Sequence, residues 1–168
     1  MSVYKSRRKD ANVLFIQATA ELRETTIRIC KKFPKSWWSI LTRDCLKLIS
    51  KAFNSCVKGN EIFMHKEMDK LDYKMRRKYF LKALTNVDAL GSEITFCYTT
   101  IREEPIGMSK DDRERHFKNW SEQALKAKSL IKKILESDRE RWKKWKQERK
   151  AKKNEAKNKK PDDIWTTK

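Results

Sequence analysis

Between Phe80 and Ile101 apolar side chains return every three or four residues: Phe80, Ala83 with Leu84, Val87, Leu90, Ile94, Cys97 with Tyr98, and Ile101. That interval is the repeat of one face of an α-helix, and it is incompatible with a strand, whose faces alternate every second residue. The same period recurs in three more segments. Ala11, Leu14 with Phe15, Ala18, Leu22, Thr25 with Thr26, Ile29 and Phe33 mark a first helix over residues 9–32. Trp38, Leu41, Cys45, Leu48 with Ile49, Ala52 and Cys56 mark a second over 37–58. Phe117, Trp120, Ala124, Ala127, Ile131 and Ile134 with Leu135 mark the last, whose apolar face ends at Asp138.

The breakers fall between these segments. Phe33-Pro34-Lys35 ends the first, because proline lacks an N–H and disfavours the α conformation in the residue before it. Ser36 then stands where an N-cap of the second helix belongs, and Gly59-Asn60 reads as its stop. Residues 61–67 read as a loop whose Ile62 and Phe63 fold back onto the core, and the third helix starts near Met68. Gly91 in that helix costs up to ~1 kcal/mol against Ala and suits a close helix–helix approach. Pro105 and Gly107 mark the next connector, and Ser109 caps the fourth helix with Asp111 and Asp112 in its first turn. With three Gly and three Pro in 168 residues, the chain lacks the turns of a β-sandwich and the glycine cradles of nucleotide folds. The expectation is all-α: an antiparallel up-down four-helix bundle over 9–138, a basic N-terminal arm at 1–8, and a basic tail at 139–168, helical at first and disordered later.

Charge points to function. Lys and Arg number 42 against 23 Asp and Glu, a net charge of +19. An excess of that size draws polyanions: nucleic acid, an anionic membrane surface or an acidic protein. A lysine-rich solvated surface is the plain alternative. Nearly half the excess lies in residues 139–160, where twelve Lys and Arg face three Glu. Within that run Arg139, Arg141, Lys143, Lys144, Lys146 and Arg149 surround Trp142 and Trp145. The two tryptophans are three apart, hence on one helical face, and suit either stacking on unpaired bases or covering the end of the core. Lys5, Arg7, Arg8 and Lys9 form a second cluster. In an up-down bundle both termini share one end, so arm and tail would build one positive field. Lys31, Lys32 and Lys35 around the first turn, and Arg76, Arg77 and Lys78 in the third helix, are weaker signals.

Catalytic signatures are absent. No zinc-protease, nucleophile-elbow, Walker or kinase pattern occurs. Cys30, Cys45, Cys56 and Cys97 are separated by 15, 11 and 41 residues, without a C-x-x-C pair or a histidine at metal spacing. They read as buried apolar thiols rather than as metal ligands or disulfides. No metal and no cofactor is expected, and the chain reads as a non-enzyme. The pairs Glu103-Glu104 and Asp111-Asp112 are the one set that a metal-dependent nuclease would use. No targeting segment and no membrane span are visible, so a cytoplasmic protein without membrane association is expected.

Lys31-Lys32-Phe33-Pro34-Lys35 at the first helix junction, Leu41-Thr42, Ala52 and Asn60 around the second helix, and Arg76-Arg77-Lys78-Tyr79 with Ala83 and Leu90 in the third resemble a family of small bacterial and phage four-helix proteins. These are the accessory variability determinant proteins of diversity-generating retroelements, with the intervening-sequence proteins of large-subunit rRNA genes as a related branch. The stretch Asn54-Ser55-Cys56-Val57-Lys58-Gly59-Asn60 departs from the pattern of that second branch, which favours the first. The resemblance spans residues 8–137 and leaves out the tail. It implies a homopentameric, positively charged ring that binds a reverse transcriptase and its RNA, or an RNA–cDNA hybrid or DNA, and supports mutagenic cDNA synthesis. Lys31, Lys32, Lys35, Arg76, Arg77 and Lys78 would be its contact residues. The competing expectation is a regulatory helical bundle that docks an acidic protein and binds nucleic acid only non-specifically.

Overall fold

The computed structural model describes residues 3–101 and 108–158, with residues 3–12 and 156–158 as helix backbone only. Four α-helices carry the chain: α1 (Val3–Cys30), α2 (Arg43–Glu61), α3 (Lys70–Ile101) and α4 (Lys110–Asn158). No strand occurs among the described residues. Helix α2 packs on α1 and α3, and α4 packs on α3 and α1, so the four enclose one core.

The periodic apolar positions fill that core. Phe15, Leu22, Ile49, Phe80, Val87, Leu90, Ile94, Ile101, Trp120 and Ile131 are all buried. Each large apolar side chain contributes ~1.5–3 kcal/mol on full burial, so this stripe supplies the main driving force. The rings of Phe15 and Phe80 meet edge to face with centroids 5.3 Å apart. The fully buried indole of Trp120 keeps its polar atom satisfied: Nε1 donates to Thr26 Oγ1 at 2.9 Å, and that hydroxyl donates to the Leu22 carbonyl at 2.7 Å.

The first junction is built differently from the sequence expectation. Phe33 is buried and stacks on Phe117, so the ring of the Lys-Phe-Pro-Lys segment plugs the end of the core. Lys35–Trp37 form a single 3₁₀ turn and Trp38–Thr42 a wider π turn before α2 begins at Arg43. Ser36 lies inside the 3₁₀ turn, where Pro34 precedes the first residue and no side chain caps it. Trp38 is 45% exposed because its indole is held outward, donating to the Phe33 carbonyl at 2.9 Å. The buried stripe of this region therefore starts at Leu41.

The second junction also departs. Helix α2 runs to Glu61 and Gly59 lies inside its last turn. A Cβ there would come within 3.0 Å of Phe80 Cε1, so the glycine permits helix contact instead of ending the helix. Gly91 does the opposite, since a Cβ added there meets nothing within 4 Å. In the connector Phe63 is 73% exposed, and Met68 is the side chain that turns inward. Asp69 caps α3, its carboxylate accepting from the Asp72 amide at 2.7 Å. Ser109 caps α4 as its sequence position implies, accepting from the Asp112 amide at 3.1 Å.

Candidate nucleic-acid interface

Arg76 is buried, and its charge is spent within the protein. Nε donates to Asp138 Oδ2 at 2.6 Å, and Nη1 donates to the carbonyls of Gly59 at 2.9 Å and Ile62 at 2.8 Å. A planar guanidinium has the donors to serve a carboxylate and two backbone carbonyls at once. It thereby satisfies carbonyls that the end of α2 leaves open and ties α2, α3 and α4 together. This removes Arg76 from the surface contacts that the sequence singled out. Its neighbours differ: Lys78 is exposed and Arg77 half-buried.

Asp138 is the last buried residue of α4, yet the helix continues to Asn158. Those further 20 residues span about 30 Å at ~1.5 Å per residue. Arg139, Arg141, Lys143, Lys144, Lys146, Lys150, Lys152 and Lys153 are exposed along them. The first half of this extension is clamped to the body. Trp142 stacks on Tyr73 of α3 with centroids 4.5 Å apart and planes 3° from parallel. Arg149 lies over the same indole at 5.4 Å and donates to the carbonyls of Lys66 at 2.6 Å and Met68 at 2.8 Å. Lys66 pairs with Glu148 at 3.0 Å, and that contact holds the Glu148 carboxyl below its ordinary range. Trp142 and Arg149 are thus docking residues. Trp145 is half-buried and lines a groove of about 360 Å³ with Lys66, Glu67, Glu148, Arg149 and Lys152.

Nothing in the sequence pattern marks Lys66, whose backbone carbonyl receives Arg149. Tyr73 was open to detection, because it sits at helical spacing from Arg76 and Phe80.

Lys31, Lys32 and Lys35 are exposed, but they sit at the other end of α1, away from the α4 extension. There Lys32 Nζ donates to His116 Nε2 at 2.7 Å. Burial, and then the charge of Lys32, hold this imidazole below its ordinary value. The structure therefore gathers Arg77, Lys78 and the cations of 139–153 toward one end and leaves the Lys31–Lys35 group at the opposite one. The side chains of Lys5, Arg7, Arg8 and Lys9 lie outside the described residues, as do Glu103, Glu104 and residues 159–168.

Asp112 accepts from Ser109 and pairs with Arg115. All four cysteines are buried and free. Cys45 Sγ lies 3.9 Å from Cys97 Sγ, and contact with Cys45 together with burial pushes the Cys30 and Cys97 thiols above their usual range. No group of His, Cys, Asp and Glu among the described residues is arranged to hold a metal ion. No described helix is long and apolar enough to cross a membrane. No protein-family model, curated protein or solved structure matches this chain.

Proposed function

We propose that this protein is a non-enzymatic, nucleic-acid-binding helical scaffold that uses the exposed basic extension of α4 as its principal contact. The carrying observation is that α4 runs on past its last buried residue with eight exposed Lys and Arg side chains, on an extension whose first half is clamped to the body. Arg139, Lys143, Lys146, Lys150 and Lys153 return every three or four residues and so share one stripe of the helix; cations so ordered follow a phosphate backbone at low ordering cost, and each neutralised phosphate releases counterions.

In this reading the scaffold is an antiparallel up-down bundle. The pairs Glu21–Lys126, Thr26–Trp120 and Lys32–His116, whose numbers rise along α1 and the turn after it as they fall in α4, support it. The Lys31–Lys35 segment and the charge support a role as an oligomeric accessory subunit of a retroelement reverse transcriptase and its RNA. A pentamer of 20.2 kDa subunits by native mass, with the enzyme captured in pull-down, is the outcome expected of that role.

The direct test is RNA affinity against salt. If about eight phosphates are neutralised on single-stranded RNA, log K falls against log salt with a slope near −6, roughly 10³-fold between 50 and 200 mM. Replacing Lys143, Lys144, Lys150 and Lys153 by Gln should flatten the slope by ~0.7 per lost contact. A salt-insensitive affinity, or a slope unchanged in the variant, refutes the assignment of binding to this extension.

A further inference from the structure

We propose that the groove between the 62–69 connector and the α4 extension takes one unpaired base of single-stranded nucleic acid, with Trp145 as its stacking platform. The inference rests on the polyanion-binding reading above and assigns a base site within it.

Trp142, Trp145 and Arg149 follow one another at three and four residues, and so share one face of α4. The structure gives them different tasks. Trp142 is sandwiched between Tyr73 and Arg149, and no face of it remains for a ligand. Arg149 is fixed by two backbone carbonyls. Trp145 has no ring partner among the described residues and borders open space. An indole left half-buried at the edge of a groove, on a helix whose neighbours are locked, is a preorganised stacking surface. Every base offers a π-face, so such a surface is sequence-tolerant.

The volume and charge of the groove select the ligand. At about 360 Å³ it lies near the lower end of the ~300–1,000 Å³ typical of small-ligand pockets. That is room for a single nucleotide and excludes a duplex. Lys66, Arg149 and Lys152 line it against Glu67 and Glu148, and Lys144 stands close enough to act on the Glu148 carboxyl. The rim is therefore net cationic, as phosphates flanking a stacked base require. Glu148, already paired with Lys66, fixes that lysine at the groove wall.

The test uses the full-length protein and two polyanions: a fluorescein-labelled oligouridylate of twelve nucleotides, and inorganic polyphosphate, which has charge but no bases. Trp145→Ala should weaken oligouridylate binding about tenfold or more and leave polyphosphate binding unchanged, while Trp145→Phe retains most of the affinity. Thermal melts of both variants establish that the fold is intact, and the phenylalanine variant keeps the test open should the alanine one unfold. Equal effects of Trp145→Ala on both probes, or an effect on neither, overturn the base site. In the latter case wild-type salt-dependent binding leaves the wider reading standing. Failure of the wild type to bind oligouridylate at all overturns both.

Discussion

Arg76 and Asp138 are 62 residues apart in sequence and meet at 2.6 Å inside the protein, each side chain only 7% exposed. The same guanidinium holds the two carbonyls at the end of α2 and lies 4.8 Å over the Phe80 ring. One residue thus joins the end of α2, the opening of α3 and the point where α4 leaves the core.

Removing either partner leaves a charge buried without its complement, which costs ~3–5 kcal/mol. Arg76→Ala and Asp138→Ala should each lower the urea unfolding free energy by that amount. Arg76→Lys should also lose stability, because an ammonium lacks the planar fork that serves carboxylate and carbonyls together. Wild-type stability in the lysine variant would show that the fork is dispensable.

This pair also shows where sequence reading stops. Periodicity finds the buried faces of all four helices because burial repeats with the helix itself. It cannot separate an arginine that faces solvent from one that turns inward, since both occur in a run such as Arg76-Arg77-Lys78. The partner Asp138 lies at a position where the apolar pattern ends, so an ion pair reads locally as a loss of core. The tail follows the same logic. Trp142 and Trp145 are equivalent in sequence, and only the position of Tyr73 on another helix tells docking residue from groove wall. The caps illustrate the local case: Ser109 was legible because its acceptor and donor lie within one turn, whereas Ser36 was displaced by a 3₁₀ turn set by Pro34 and Phe33.

The two helical glycines should respond oppositely to alanine. Gly59→Ala puts a Cβ 3.0 Å from the buried Phe80 ring, and overpacking of that kind costs ~1–3 kcal/mol, more than the helix propensity regained. Gly91→Ala places its methyl in open space and should stabilise by ~0.5–1 kcal/mol through backbone entropy. Denaturant midpoints of the two variants check the signs, and equal shifts would contradict the packing difference.

The thiols should be silent in the native state. All four cysteines are buried, and burial pushes the Cys56 thiol up to about 12, so its reactive thiolate is scarce at pH 8. Ellman's reagent should therefore label the native protein only as fast as it opens, and all four thiols at once in denaturant. Rapid labelling of Cys56 without denaturant would mean that the α1–α2 contact is looser than described.

His116 makes stability depend on pH in the direction opposite to a histidine held by a carboxylate. Burial and the adjacent Lys32 depress its folded value below the ordinary one, so as pH falls through the ordinary value near ~6.5 the unfolded chain binds a proton that the folded chain refuses. Stability then rises with pH between the folded value and the ordinary one. The contribution is complete above the unfolded value near ~6.5 and is lost as pH falls toward the folded one. Protonation also ends the Lys32–His116 hydrogen bond, because a charged imidazole has no acceptor for the ammonium. Melting temperatures taken from pH 7.5 to 5.5 should fall more for the wild type than for His116→Gln, which keeps a neutral polar group at the site. Parallel curves for the two proteins would place the pH dependence elsewhere.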